Sequence, residues 1–464
     1  RGGRLIEYSD AELQKLLEPD FPLELTHIID RMAQKTFTDP HATIISQTLR
    51  GHTAPITSIA ISPNNQFIVT GSDDKTARIW DATTGTLLYT LEGHTNRPYS
   101  VAISSDNQFV VTGSWDNTAR IWSTTTGALL HILEGHADQI WLVAISSDNQ
   151  FIVTASFDNT ARIWDATTGV LLHILEGHRS KINSVAISPD NLFIVTGSWD
   201  YTARMWNATT GALLHTLTGH TWIITSVAIS PNNRFIVTGS PDNTARIWDA
   251  ADGKVRHILS GHEDTINSVA ISPDNQFIVT GSWDHTARIW NATTGALLHI
   301  LEGHTNKIWS VAISSDNQFI VTASFDNTAR IWDATTGVLL HILEGHTAIT
   351  SVAISPDNRF IVTGSYDRTA RIWRIKEDLL TTAELIKNAA ILRDRAKKIP
   401  YFPPIQMQKI NKGIYLLKAA GADTNLGRTK AIYQRIEDAF KQGRTEAAGE
   451  AMIASAADIG FFGM

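Results

Sequence analysis

The chain has 464 residues and carries 39 Lys and Arg against 46 Asp and Glu, a net charge of −7. That mild acidic balance supplies no bulk attraction to nucleic acid or to a membrane surface. It contains no cysteine, which excludes disulfide frameworks and thiolate metal sites and points to a reducing, cytoplasmic setting. No apolar run is long enough to span a bilayer, and a chain beginning at Arg1 leaves room for an upstream segment.

Residues 1–40 read as a helical segment. Ser9 to Glu12 has the spacing of a capping box ahead of Leu13, Leu16 and Leu17, and Pro19 to Pro22 interrupts the run. A second amphipathic stretch follows through Leu23, Leu25, Ile28, Ile29 and Met32. Phe21-Pro22-Leu23-Glu24-Leu25 with Ile28, Ile29 and Met32 resembles the opening of an F-box motif over residues 21–32. That resemblance implies a ubiquitin-ligase adaptor as partner for this helix. The competing reading is a short helix packed on the domain that follows.

Gly51-His52 begins a repeat that returns at Gly93, Gly135, Gly177, Gly219, Gly261, Gly303 and Gly345, each time with His next. A Trp follows each Gly-His 28 or 29 residues later: Trp80, Trp122, Trp164, Trp206, Trp248, Trp290, Trp332 and Trp373. Within the first repeat, Ile56 to Ser62, Phe67 to Ser72 and Thr76 to Trp80 read as strands separated by Pro63-Asn64-Asn65 and Asp73-Asp74-Lys75 turns. The period resembles that of the WD-repeat β-propeller family over residues 41–375, and implies one four-stranded blade per repeat. The expected fold class is therefore all-β: an eight-bladed β-propeller with short helical N-terminal and C-terminal segments. Residues 43–50 match the outer strand of a blade but have no blade ahead of them, while Trp373 is followed by no outer strand. Pairing the two would close the ring and leave no long free edge.

Ser146 to His178 and Ser314 to His346 are identical, so the ring reads as a duplicated four-blade half. After residue 376 the period stops, and 376–464 reads as a mildly basic α-helical region interrupted by Pro400, Pro403 and Pro404.

Comparison among blades separates fold from function. Every blade repeats a His, an Asp (Asp74, Asp116, Asp158, Asp200, Asp242, Asp284, Asp326, Asp367) and a Trp. In the WD-repeat family such residues join with a Thr or Ser in a buried hydrogen-bond chain, which implies the set His52, Asp74, Thr70 and Trp80 here. The eight histidines are thereby assigned to the fold rather than to a metal, and no cofactor is expected.

Two positions vary instead. Before the blade Asp stand Asp73, Trp115, Phe157, Trp199, Pro241, Trp283, Phe325 and Tyr366; early in the inner strand stand Thr57, Tyr99, Trp141, Asn183, Thr225, Asn267, Trp309 and Thr350. The resemblance puts both sets on the top face around the central channel. Tyr99, Trp115, Trp141, Phe157, Trp199, Trp222, Trp283, Trp309, Phe325 and Tyr366 are the candidate partner-binding residues, because Trp and Tyr anchor interfaces. Stacking between neighbouring blades is the alternative use of the same rings. Arg97, Arg179, Lys181, Lys307 and Arg368 stand near this rim, too scattered for a phosphate pocket. With no nucleophile–base pair or phosphate loop apart from the repeats, the expected function is a non-enzymatic scaffold binding a protein or peptide. The alternative is an F-box-like substrate receptor of a ubiquitin ligase, and stacking of single-stranded nucleic acid is disfavoured by the acidic charge.

Overall fold

The computed structural model describes residues 44–375. The helical segments expected on either side, including the F-box-like stretch Phe21 to Met32, lie outside the described residues. Thirty-two strands form eight antiparallel four-stranded sheets, one per repeat. In blade 1, strand a is Ile56–Ile61, strand b Phe67–Ser72, strand c Ala77–Asp81 and strand d Leu87–Leu91. Strand c starts one residue later than the sequence suggests. Both the amide and the hydroxyl of Thr76 bind Asp74 Oδ1, at 3.0 and 2.6 Å, and in blades 5 and 7, with the same two bonds, the equivalent Thr244 and Thr328 open strand c.

The core lies between blades. Strand b is buried along its whole length, and one cluster joins Phe360, Val362, Ala370 and Ile372 of blade 8 to Ile56, Ile68 and Trp80 of blade 1. Each such side chain contributes roughly 1.5–3 kcal/mol on burial, and only a neighbouring blade can provide it. Closure follows the expected route: Ile44–Leu49 pairs with Ala370–Ile375 as the fourth strand of blade 8, and Leu49 joins the core.

On the face opposite the Gly-His loops, asparagines in the a–b turns link successive blades. Asn107 Oδ1 accepts the Asn64 N–H at 3.2 Å, and Asn191 Oδ1 accepts the Ser147 N–H at 2.9 Å. Asn65 and Asn233 Oδ1 are buried without a partner. These belong to blades 1 and 5, so the linkage lapses at the two junctions between the duplicated halves. The outer strands expose Leu130, Leu172, Leu214 and Leu298, each placed by a register shift against strand c. Such bulges blunt an apolar sheet edge.

Candidate interaction face

The frame of the top face is the buried network. His52 Nδ1 donates to Asp74 Oδ2 at 2.7 Å, so Nε2 accepts the Thr70 hydroxyl at 2.8 Å, and Trp80 Nε1 donates to the same oxygen at 2.8 Å. The set recurs in all eight blades, from His94, Thr112 and Trp122 to His346, Thr363 and Trp373. Burial lowers the His52 pKa and the Asp74 bond opposes this only in part, so the ring is neutral at physiological pH. Burial alone would raise the Asp74 carboxyl; hydrogen bonds from His52, Thr76 and the Thr53 amide outweigh it and hold the group well below the usual carboxylate range. Gly51 sits at φ +153°, where a side chain is strained, and a Cβ there would displace the Arg78 guanidinium. These histidines hold the d–a loops in place. Among the described residues no cluster of His, Asp and Glu is arranged to hold a metal ion.

On that frame the variable residues are aimed by β-bulges. In seven blades the ladder between strands a and b slips at one residue: Thr57, Tyr99, Trp141, Asn183, Asn267, Trp309 and Thr350. A bulge re-aims its side chain, and here two uses appear. Thr57 and Thr350 donate their hydroxyls to the next blade, to Pro98 O at 2.7 Å and Ile56 O at 2.8 Å, while Asn267 Nδ2 donates to Trp309 O at 2.7 Å. These polar members of the variable set are therefore inter-blade ties, a role that spacing alone did not reveal. Tyr99, Trp141 and Trp309 make no such bond to the next blade.

The aromatic members stack in two runs. In the first, Tyr99 lies 4.0 Å from Trp141 and 5.8 Å from Trp115, Trp141 stacks on Phe157 at 4.9 Å, and Phe157 meets Trp199 at 5.8 Å. In the second, Trp283 stacks on Trp309 at 6.1 Å, Trp309 on Phe325 at 4.9 Å, and Phe325 meets Tyr366 edge-on at 5.8 Å. Trp115, Trp141, Phe157, Trp283, Trp309 and Phe325 are half-buried by these contacts, whereas Trp199 and Tyr366 stay 39% and 51% exposed. Trp222 belongs to neither run; it stacks on Tyr201 at 6.0 Å. The indole N–H groups of Trp115 and Trp283 are buried without an acceptor, unlike those of the blade network.

Three cations sit on the rings. The Arg97 guanidinium lies 3.3 Å from the Trp115 centroid and pairs with Asp73 at 3.2 Å. Lys307 Nζ lies 3.8 Å from the Trp283 centroid, and Lys181 Nζ lies 4.3 Å from Phe157 and 5.2 Å from Trp199. No carboxylate among the described residues pairs with either lysine. Arg179 and Arg368 are exposed nearby. Burial pushes the Tyr99 phenol up to about 12, so it remains a neutral hydroxyl.

Residues 44–81, 85–123, 127–165, 169–207, 211–249, 253–291, 295–333 and 337–374 match the WD domain, G-beta repeat. The chain belongs to the WD40 family. Its WD40 repeats are similar to part of the ribosome biogenesis protein BOP1 homolog of Drosophila ananassae, 36% identical over 63 residues. The Drosophila grimshawi homolog is 35% identical over 63 residues. Each match covers 14% of this chain and 8% of the relative, so it concerns repeats rather than whole proteins. Among solved structures, that of the computationally designed Ika8 protein is similar, with a TM-score of 0.65 and 32% identity over 71% of this chain and 98% of that one. A WD40 propeller fits a protein-interaction scaffold.

Proposed function

We propose that this WD40 propeller is a non-enzymatic scaffold whose aromatic top face binds a protein or peptide. The observation that carries the reading is the exchange at the bulge. Where Thr57 and Thr350 tie one blade to the next, Tyr99, Trp141 and Trp309 do not, and a face selected for closure alone would keep the hydroxyl. The two unpaired indole N–H groups have the same sense, a local cost that stacking on a rigid frame tolerates. Aromatic rings flanked by cations are the usual anchors of a partner.

The test is to pan the full chain against a random linear-peptide display library and measure the selected peptides on Trp199→Ala and Trp309→Thr. The second variant installs the residue that blades 1, 5 and 8 already carry at that position. Both should keep the wild-type fold and lose the peptides. Peptides that bind both variants as tightly as the parent would overturn the reading.

A further inference from the structure

Blade 5 departs from the other seven on the top face. Elsewhere the residue before the network Asp donates its N–H to a carbonyl of the d–a loop, as Trp199 does to Lys181 at 2.8 Å and Trp283 to Thr265 at 2.9 Å. The preceding serine donates to the carbonyl one residue earlier, as Ser198 does to Ser180 at 2.9 Å and Ser282 to Asp264 at 3.0 Å. Blade 5 has Pro241 at this point, which has no N–H to give, and Ser240 Oγ keeps only the bond it accepts from Asp242 N–H at 3.1 Å.

The missing N–H trims the a–b ladder: strand a is Ser226–Ile229 and strand b ends at Gly239, while the Ile224 N–H keeps its bond to Ser198 O of blade 4 at 3.0 Å, as Ile266 N–H does to Ser240 O at 3.1 Å. Among the described residues no donor reaches the carbonyls of Trp222 or Ile223, the equivalents of those bonded in the other blades. Trp222 is 54% exposed, and the Tyr201 ring beneath it sits at φ +71°. A bulky residue is uncommon there; blades 2, 3, 5 and 7 use asparagine at the equivalent position. So the breach between the two aromatic runs holds a stacked, exposed ring pair beside two carbonyls that lack donors. Its flanks are of opposite charge, with Arg179 and Lys181 on blade 4 and Glu263 and Asp264 on blade 6.

We propose that this breach seats an extended peptide segment of the partner. Donor groups of the segment bond Trp222 O and Ile223 O, taking the places that the Ser Oγ and the backbone N–H fill in the other blades. An apolar side chain covers the Trp222–Tyr201 pair, an acidic residue meets Lys181 and Arg179, and a basic one faces Glu263 and Asp264. The inference rests on the top-face reading above and names where on that face the contact is made, and by what chemistry.

The experiment uses peptides selected from the same random library on the full chain, with dissociation constants by fluorescence anisotropy and Tm for each variant. Trp222→Ala should weaken binding roughly tenfold or more with Tm unchanged, the loss typical of an anchor. Pro241→Ala restores the missing N–H and Pro241→Trp also fills the gap; both should raise Tm while weakening the peptides. A variant that gains stability and loses ligand is not what a packing role would give. If the peptides bind the Trp222 and Pro241 variants as they bind the parent yet are lost in Trp199→Ala and Trp309→Thr, the breach is overturned and the platform stands. A library that yields no binding peptide overturns both. Should Pro241→Trp fail to fold, Pro241→Ala and Trp222→Ala decide the matter.

Discussion

His52 and Trp80 reach opposite sides of one hydroxyl: Thr70 Oγ1 lies 2.8 Å from His52 Nε2 and 2.8 Å from Trp80 Nε1. The chain of donors runs in one direction, from indole to hydroxyl to imidazole to Asp74, so the oxygen both accepts and donates. Thr70→Val keeps the shape and strands an indole N–H and an imidazole nitrogen. Each unpaired group costs about 1–3 kcal/mol. Urea unfolding should show that loss for Thr70→Val and little change for Thr70→Ser, which keeps the hydroxyl.

The same network sets an acid limit on the ring. Burial places the folded pKa of His52 below the unfolded value of 6.5, and its seven counterparts shift the same way. The unfolded chain therefore takes up the proton first. Stability is full above pH 6.5 and falls as the pH drops from there through the folded pKa, each histidine contributing up to about 1.4 kcal/mol per pH unit. The paired carboxylates, lowered from 3.8, add a second loss below that pH. Tm measured from pH 8 to pH 5 should decline below about 6.5, and His52→Gln should reduce the steepness by one proton while lowering stability throughout.

Much of this was legible in the sequence because each blade must satisfy the same buried groups. His52, Asp74 and Trp80 cannot vary without leaving one unpaired, so their period announced the fold and the closing strand. The bulge position was harder. Thr57 and Trp141 occupy equivalent sites at the same bulge, and only the hydrogen bond of one and the ring contacts of the other show that Thr57 ties blades while Trp141 stacks on Tyr99 and Phe157. The a–b turn linkage is not legible in the sequence because Asn is also an ordinary turn residue tolerant of positive φ, as at Asn107, φ 63°. Pro241 was visible as an interruption of the rim; that it frees Ile223 O and shortens two strands needed the hydrogen-bond pattern.

Closure of the ring depends on few residues. Leu49 packs in the core between blades 8 and 1, and the Arg374 guanidinium bonds Gln47 Oε1 at 2.9 Å together with the carbonyls of Ala82 and Thr83. Leu49→Ala should cost about 2–5 kcal/mol, as for other buried leucines, and Arg374→Ala about 1–3 kcal/mol. Hydrogen exchange should quicken first in blade 8, whose outer strand is supplied by residues 44–49. An even rise around the ring would show that the closing strand is not its weakest point.

Within the aromatic runs, position decides how far stability and binding separate. Trp141 lies 4.0 Å from Tyr99, 4.9 Å from Phe157 and 5.7 Å from Trp115, whereas Trp199 meets only Phe157, at 5.8 Å, and Lys181. Each stacked pair adds about 0.5–1.5 kcal/mol beyond area burial, so Trp141→Ala should cost about 1–4 kcal/mol and Trp199→Ala within about 0.5 kcal/mol. Trp141→Thr should recover part of the loss, because a hydroxyl at this bulge reaches the next blade's carbonyl as Thr57 reaches Pro98. All three variants should lose the selected peptides. If Trp141→Thr regained stability and kept its peptide affinity, the first aromatic run would be a clasp between blades rather than a surface for a partner.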